Sequence, residues 1–478
     1  MRKFLRFIGF VSLLIIGGIG VIAYLNWPTV KQVAKFSPII LPPFYGTPEN
    51  EVEARDQDTR YLRKLVKLDR SFSTEARRSF AVLLDELENG SRPSSQAELY
   101  MAAAQAAAFA DNGHTSISAR PLYREFNRID VKLFWFSDGL YIVRAKGEYA
   151  DLIGARVVAI DDRAIEDIAT TLRRYSGGAD QWRRLYSVLM IESPQIMHAT
   201  GLARSPDEMT ISVVNSDDLE RDVTLKGSKI DGQGALPTRR PWMTLKPVAL
   251  RDEGEDWRRT LGASEKELPL YLRDSNNRLF AAKLDGGAYI RTQITLDTPT
   301  KAFEPFLEDA VNQYRGGELD FMIVDLRWNP GGDYTKAINF AKTAPGKIKP
   351  GGRLYIVVGP QTFSAALVTA ALLKYYGGEK SVIVGAPMGD REQFWAESGM
   401  AFRLPNSGYR INYATGYHDW AAGCEGHPYC FAQNLIHGVP AGSLAPAVVI
   451  EPTYADYASG HDIVMDWILS QHTSSPKS

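Results

Sequence analysis

A serine at the start of an apolar helix is the first residue in this sequence that could do chemistry. Ser364 follows the strand-like run LYIVV and the turn GPQTF, and it opens the helical run SAALVTAALLKYY. A helix N-terminus offers unpaired N–H groups and positive potential, so a nucleophile there has donors nearby for the oxyanion that its attack creates. The alternative is that Ser364, or Thr362, only caps the helix.

A second motif, DFMIVDLRWNPGGDY, is an apolar strand that ends in two glycines. Gly331 and Gly332 let the backbone approach a ligand closely and direct N–H groups at it, which suits an oxyanion hole. The stretch lacks the lysine of a P-loop and the third glycine of a dinucleotide loop, so it is a poor phosphate site. A plain turn at the strand end is the alternative interpretation.

Together the two motifs resemble the core of a known peptidase family. IVDLRWNPGG, followed about thirty residues later by QTFSAA, is similar to the DLRxNxGG and helix-opening SA motifs of tail-specific (C-terminal-processing) and tricorn-core serine peptidases. The resemblance covers roughly residues 55–465. It implies a layered α/β core of the crotonase/ClpP-like type, preceded by a helical subdomain and a PDZ domain.

The family contains two catalytic designs, and the sequence distinguishes them. The tail-specific branch uses a lysine about 25 residues after the serine, but Gly389 stands there and no lysine occurs between Ser381 and Lys477. The tricorn-like branch takes a histidine from a D-G-H-T-like stretch before the PDZ domain, and DNGHTSIS places His114 in that position. An imidazole pKa near 6.5 suits a general base at neutral pH. The alternative is that His114 is a solvated loop residue without a catalytic role.

A carboxylate is expected to orient the imidazole and stabilise its charged form. In tricorn-like enzymes it is a glutamate late in the core, which the resemblance places in the segment TGYHDWAAGCEGHPYC. Glu425 and Asp419 are the candidates, and neighbouring His418 complicates the choice. The same resemblance predicts that the amides of Gly332, Ala365 and Gly331 form the oxyanion hole.

The two cysteines, Cys424 and Cys430, lie six positions apart. A metal site requires more ligands at short spacing, so a local disulfide or two free thiols are the simpler interpretations. The remaining histidines show no metal-ligand spacing, and no metal or cofactor is expected. A formal net charge of −1 without a basic segment argues against nucleic acid as the main partner.

The N-terminus is unusually apolar in a chain whose overall composition is otherwise that of an ordinary globular protein. Three basic residues precede the charge-free run 7–25, which as a helix would nearly match the ~30 Å hydrocarbon core of a bilayer. The basic residues predict that the N-terminal end stays in the cytoplasm and the rest of the chain is exported, so that the catalytic part lies on the periplasmic side of the inner membrane. The length of the apolar run and the lack of a clear small-x-small cleavage site favour an uncleaved signal anchor. A cleaved signal peptide is the alternative. Export would allow the cysteines to form a disulfide.

The remaining organisation follows from periodicity and composition. GEYADLIGARVVAIDDRAIEDI resembles the strand, turn and helix of PDZ domains that flank the peptide groove, although Asp162 replaces the usual turn glycine. A generic β/α domain is the alternative. The predicted units are a signal anchor (1–29), a stalk (30–55), a helical subdomain (56–130), a PDZ-like domain (131–229), a connector (230–275), an α/β peptidase core (276–468) and a tail (469–478).

The sequence therefore predicts a membrane-anchored, exported serine peptidase without a cofactor. Its substrate would be a peptide or protein, with the PDZ-like domain presenting or sensing an extended chain such as a C-terminal tail. Two other functions remain open on the same scaffold. One is a catalytically inactive ligand- or peptide-binding protein, and the other is a structural anchor protein that acts through its PDZ-like domain.

Overall fold

The computed structural model describes residues 35–38, 40, 43–90, 92–229, 240–262, 267–397 and 401–473. The predicted anchor helix over residues 7–25 lies outside these ranges. Within them, no helix combines the length and the apolar character needed to cross a bilayer.

The α-helices, in chain order, are α1 (Glu51–Leu62), α2 (Leu65–Leu68), α3 (Thr74–Asn89), α4 (Gln96–Ala108), α5 (Pro121–Arg124), α6 (Ile165–Leu172), α7 (Asp180–Ile191), α8 (Pro194–Ala199), α9 (Phe303–Asn312), α10 (Ile338–Thr343), α11 (Ala365–Gly377), α12 (Ala432–His437), α13 (Tyr454–Ala458) and α14 (Ile463–Thr473). The strands are β1 (Ser116–Ile117), β2 (Arg128–Ile129), β3 (Val131–Phe136), β4 (Gly139–Lys146), β5 (Arg156–Ile160), β6 (Arg163–Ala164), β7 (Glu208–Val214), β8 (Glu220–Ser228), β9 (Trp257–Arg259), β10 (Leu279–Leu284), β11 (Gly287–Thr292), β12 (Leu319–Asp325), β13 (Ile348–Val358), β14 (Ser381–Gly385), β15 (Gln393–Ala396), β16 (Ala401–Arg403), β17 (Arg410–Asn412), β18 (Gly416–Asp419) and β19 (Val448–Val449).

The helical subdomain begins earlier than the sequence suggested, because α1 starts at Glu51, inside the stretch predicted as a stalk. Its helix starts are set by side-chain caps. Asn50, Ser73 and Ser95 each accept a hydrogen bond from a backbone N–H in the first turn of α1, α3 and α4. Most of the alanines of α4 are buried, and their small side chains let neighbouring elements approach the helix closely. Three residues, 109–111, connect the end of α4 to the Asn112–Thr115 turn.

The region predicted to be PDZ-like, for which we keep that name, contains an antiparallel sheet in the order β2-β8-β7-β5-β4-β3, with β6 paired to β5 and β9 paired to β4. Asp161 and Asp162 form the turn between β5 and β6 with φ of 48° and 66°, in the left-handed region that aspartate tolerates. Helices α6, α7 and α8 lie between β6 and β7 in the chain. Strand β9 belongs to this sheet although it comes from the predicted connector.

The core is a six-stranded sheet in the order β10-β11-β12-β13-β14-β19, in which every pair except β10–β11 is parallel. On β12, Met322 and Val324 pack into the apolar cluster on one face of the sheet. The residues that alternate with them, Phe321 and Ile323, pack into the cluster on the other face. Because both faces are covered, the strand reads as a continuous apolar run.

One segment of the core returns to the helical subdomain. Strands β16 and β17 form a three-stranded sheet with β1, which directly follows the turn that carries His114. Phe402 and Ile411 are buried in the same apolar cluster as Leu99 of α4. This long-range pairing attaches the histidine-bearing turn to a segment of the α/β core.

Candidate active site

Ser364 occupies a strained turn between β13 and α11. Its φ of 55° and ψ of −125° lie outside the regions that L-residues ordinarily adopt. In the described part of the chain its side chain makes no capping bond to α11. Thr362 does not cap the helix either, since its hydroxyl donates to Leu326 O and accepts from Gly359 N. The structure therefore does not support the interpretation that Ser364 or Thr362 only caps the helix. Backbone strain of this kind occurs mainly at functional sites.

The glycine turn lies directly against this serine. A Cβ added to Gly331 would stand 2.8 Å from Ser364 Cβ and 2.9 Å from Phe363 O, so only glycine fits here. Asn329 joins the two turns, because its carbonyl accepts from Phe363 N and its side-chain oxygen accepts from Gly331 N. Thr295 completes the contact through its hydroxyl, 3.1 Å from Asn329 Nδ2.

Within the part of the chain that the structure describes, two of the three predicted oxyanion donors have N–H groups without an acceptor. Gly331 donates its N–H to Asn329 Oδ1 at 2.9 Å, which removes it as a donor. Thr295 forms a parallel β-bridge with the glycine turn, because its N–H donates to Gly331 O and its carbonyl accepts from Asp333 N. In such a bridge the N–H of the intervening Gly332 points away from Thr295. Within the described ranges, neither Gly332 N nor Ala365 N has a protein acceptor.

His114 lies on the turn that Thr115 N closes by donating to Asn112 O. Its ring is sandwiched between Phe363, with a centroid distance of 4.6 Å, and Phe394, at 5.2 Å. Phe363 immediately precedes Ser364, so the stacking brings the imidazole beside the nucleophile turn. The structure therefore brings His114 and Ser364 together, although 250 positions of sequence separate them.

Asp390 is the carboxylate that contacts the imidazole. Its Oδ2 lies 3.1 Å from His114 Nε2 and accepts a 3.1 Å hydrogen bond from Ser364 N. The side chain is buried, with 3% of its surface exposed, and its Oδ1 accepts from Arg391 N. One oxygen atom thus links the imidazole to the backbone of the serine.

Sequence reasoning missed Asp390, although a signal was present. It lies 26 positions after Ser364, next to Gly389, which occupies the position of the lysine in the tail-specific branch. The parallel pairing of β13 with β14 explains the proximity, because the loop after β14 leaves the sheet at the same edge as the serine turn. Any ionisable residue in that loop is a candidate for the site.

The histidine turn is held by a buried carboxylate of the helical subdomain. Asp69 Oδ2 accepts from Thr115 Oγ1 at 2.6 Å and from Ala414 N at 2.7 Å, and its Oδ1 accepts from Ser71 N. Burial raises the pKa of this carboxyl, and the hydrogen bonds oppose that effect. Asn112 adds a second attachment through its side chain, which exchanges hydrogen bonds with the backbone of Trp395.

The two predicted third residues lie elsewhere. Asp419 accepts from Ala421 N and Ala422 N and so stabilises the turn after β18. Glu425 is exposed within the disulfide loop. Of the contacts that the structure describes for His114, none is with either residue. Cys424 and Cys430 form a disulfide, as predicted.

His418 is buried behind the site. Its ring stacks on the other face of Phe394 at 4.5 Å, and its Nδ1 accepts from Asn434 Nδ2 at 2.9 Å. Burial lowers its pKa, although Glu397 Oε1 at 3.6 Å from Nε2 acts in the opposite direction. The acceptor role of Nδ1 and the burial both favour the neutral ring.

Beneath the glycine turn, Arg327 forms ion pairs with Asp325 and Asp462. These charges hold the end of β12 against the start of α14. Across the described ranges, no three His, Cys, Asp or Glu side chains are arranged to hold a metal ion.

The chain matches no protein-family model and no curated protein sequence. Among solved structures it is similar to mature CPAF complexed with lactacystin, with 12% identity over 88% of this chain and 98% of that chain and a TM-score of 0.54. A photosystem II D1 C-terminal processing protease (13% identity, 86% and 98% coverage, TM-score 0.38) and the tricorn protease (12%, 87% and 36%, 0.36) also match. At the level of the fold, the resemblance predicted from the two motifs is confirmed.

Proposed function

We propose that this chain is a serine peptidase of the tail-processing type, with Ser364 as nucleophile and His114 as general base. The observation that carries the proposal is the contact set of Ser364. The serine is held in a strained turn, the Gly331 backbone lies against its Cβ, and its N–H shares Asp390 Oδ2 with the imidazole of His114. A strained serine that turns from a strand into a helix is a recurrent geometry for serine nucleophiles.

Asp390 takes the role of the third residue in this proposal. A carboxylate at Nε2 favours the tautomer in which Nε2 carries the hydrogen, so Nδ1 holds the lone pair that accepts a proton. The same carboxylate stabilises the imidazolium that forms. Glu425 and Asp419 were predicted for this role from the family pattern, and the contact with the imidazole favours Asp390 over both.

The proposed reaction proceeds in two acyl-transfer steps. His114 takes the proton of Ser364 as Oγ attacks the peptide carbonyl, and the resulting oxyanion is stabilised by the N–H groups of Gly332 and Ala365. His114 then gives the proton to the departing amine. Water attacks the acyl-enzyme in the second step, again with His114 as base, and Ser364 is regenerated.

The PDZ-like sheet and the chain terminus complete the proposal. An extended peptide, such as a substrate's C-terminal tail, would bind at the PDZ-like region by strand addition. Residues 7–25 would anchor the chain in the inner membrane with the catalytic part outside the cytoplasm. The Cys424–Cys430 disulfide supports an oxidising compartment.

A fluorophosphonate probe tests the nucleophile directly. We expect the wild-type protein to be labelled at Ser364, and Ser364→Ala not to be labelled. Ser459→Ala is a matched control, because this exposed serine donates only to carbonyls of its own short helix, α13. If the folded wild type is not labelled, the peptidase proposal fails and the inactive binding protein becomes the better account.

Asp390→Asn tests the third residue. Because Oδ2 serves both His114 Nε2 and Ser364 N, an asparagine that keeps an oxygen there loses the negative charge that stabilises the imidazolium. An asparagine that turns its N–H to that position loses both hydrogen bonds and favours the wrong tautomer. We expect peptide hydrolysis to fall by about 10²- to 10⁴-fold with little change in KM. An equally large loss in Glu425→Gln, with Asp390→Asn near wild type, would assign the role to Glu425 instead.

A further inference from the structure

Five aromatic rings stack on one another through the candidate site, and the imidazole of His114 is the middle one. In order they are Trp182, Phe363, His114, Phe394 and His418, and we call them the ring stack. Their successive centroid distances are 4.1, 4.6, 5.2 and 4.5 Å, with interplanar angles between 11° and 29°. Aromatic rings in such pairs attract one another, so the plane of the imidazole is held from both sides.

Trp182 is the outer ring on the side of the PDZ-like region, where it lies in the first turn of α7. Besides Phe363, it approaches the backbone of two glycines. A Cβ added to Gly389 would stand 2.9 Å from Trp182 Cε3, and a Cβ added to Gly113 would stand 3.9 Å from Trp182 Nε1. Phe363, Gly113 and Gly389 immediately precede the three proposed catalytic residues, which are Ser364, His114 and Asp390. A single indole therefore lies beside all three catalytic segments.

The PDZ-like region is also attached to these segments through groups other than the indole. Gly178 O accepts a hydrogen bond from Arg391 Nη2 at 3.0 Å, and Gln181 Nε2 donates to Met388 O. Neither contact involves the Trp182 side chain, which is only partly buried. Removal of the indole should therefore loosen the ring stack without detaching the PDZ-like region.

Given the serine-peptidase function proposed above, on which this inference rests, we propose that Trp182 is a positioning residue for the reaction. Its indole supports the Phe363 ring, and that ring holds the imidazole of His114 beside Ser364. Without the indole, Phe363 has room to move away from His114, and the imidazole loses a ring that fixes its plane. Proton transfer requires a defined imidazole orientation, and a misplacement of about 1 Å can lower the rate about 100-fold. The PDZ-like region is thereby part of the catalytic assembly.

Three substitutions test this role by steady-state kinetics. Trp182→Leu removes the stacked ring, and we expect it to lower kcat for peptide hydrolysis about 10- to 100-fold while KM changes less than about twofold. Trp182→Phe keeps a ring face and should retain kcat within about threefold of wild type. Trp257→Leu is the matched control, because Trp257 is also partly buried but lies on β9, where its ring faces Lys132. It should leave kcat unchanged, although chemical denaturation should show a loss of stability comparable to that of Trp182→Leu.

The NMR signal of the His114 ring gives a readout that does not depend on catalysis. It is measured on the full-length protein, isotopically labelled in its histidines, and is assigned with His114→Gln. Protons held between the faces of two aromatic rings are shifted upfield by the ring currents. We expect the signal to move toward that of free histidine in Trp182→Leu, and to stay in place in Trp182→Phe and Trp257→Leu.

The positioning role is overturned if the His114 signal of Trp182→Leu matches that of Trp257→Leu, or if Trp182→Phe loses as much kcat as Trp182→Leu. Should Trp182→Leu fail to fold, Trp182→Met, which keeps a flexible apolar side chain and removes the ring, replaces it in each comparison. If the folded wild type hydrolyses no peptide and is not labelled by the fluorophosphonate, the peptidase proposal fails. The NMR comparison then decides by itself whether Trp182 positions the imidazole.

Discussion

The two halves of the candidate site are built in different ways. The nucleophile half, consisting of Gly331, Gly332 and Ser364, lies at the ends of β12 and β13, which are adjacent parallel strands of one sheet. The histidine half, consisting of His114 and its turn, is held by groups from distant parts of the chain. Asp69 connects it to Ala414, and Asn112 connects it to Trp395.

This difference shows which half depends on the rest of the fold. The carboxyl ends of neighbouring parallel strands meet at one edge, so the glycine and serine turns come together as soon as the sheet forms. The histidine turn reaches its place only when the helical subdomain and the segment 401–415 have packed onto the core. Substitutions should therefore affect chemistry in the first half, and both positioning and stability in the second.

Gly331→Ala should have the largest effect. The new Cβ would clash with Ser364 Cβ and Phe363 O, and φ of 103° is unfavourable for alanine. We expect labelling of Ser364 by the fluorophosphonate to fall at least ~100-fold and the free energy of unfolding to fall by about 1–3 kcal/mol. Gly346→Ala is the matched control, because nothing lies within 4 Å of its added Cβ. Normal labelling of Gly331→Ala would contradict the close approach.

Asp69→Asn should have an intermediate effect on the histidine half. Both carboxylate oxygens accept hydrogen bonds, so an amide N–H at either position faces a donor. We expect the free energy of unfolding to fall by about 1–3 kcal/mol. The same change should lower kcat for peptide hydrolysis about tenfold, because the Thr115 contact next to His114 is weakened.

Chemical denaturation and steady-state kinetics check both effects. Asp85→Asn is the control, because Asp85 forms an exposed ion pair with Arg63, and such pairs contribute little. Loss of stability with unchanged kcat would show that Asp69 has no role in positioning the histidine.

His418→Gln should have the smallest effect and change only the pH dependence of stability. Burial lowers the pKa of His418 in the folded protein, so below pH ~6.5 the unfolded chain binds a proton that the folded one does not. The unfolding free energy therefore falls as pH decreases, by up to about 1.4 kcal/mol per pH unit from this residue.

Glutamine does not titrate, so His418→Gln should have a flatter profile between pH 6.5 and 5. Parallel denaturant titrations of wild type, His418→Gln and the exposed control His461→Gln measure this slope. A profile for His418→Gln that runs parallel to wild type would show that the ring is protonated in the folded protein.

Much of the fold could be predicted from local pattern. The runs GAYIRTQI, DFMIVDLRWN, RLYIVVG and KSVIVGAP form β11 to β14, and apolar strands that alternate with helices favour the parallel pairings that the structure has. The elements whose pairing partners lie far away in the sequence were less predictable. Strand β9 joins the PDZ-like sheet from the predicted connector, and β16 and β17 pair with β1, since short strands carry too little pattern to specify a partner.

The candidate site divides in the same way. Ser364, His114 and the glycine turn were predicted from their motifs and their order, and the structure places them together. Asp390 was missed, because its role depends on where the loop after β14 lies and not on a motif of its own. Glu425 and Asp419 remain predictions from the family pattern, and the structure describes no contact between either of them and His114.

The sequence by itself determined a strand that ends in two glycines, a serine at a helix start, a histidine in an upstream turn and the absence of a nearby lysine. These are local properties, since residue type and short spacing decide which backbone conformations and which chemistry are available. Only the tertiary structure decided that Ser364 lies in a strained turn and does not cap the helix. It also decided that Gly331 donates its N–H to Asn329 Oδ1, and that Asp390 is the carboxylate that contacts the imidazole. Each of these depends on which atoms meet across the packed chain, and that depends on how the sheet edge, the helical subdomain and the returning segment close around one another.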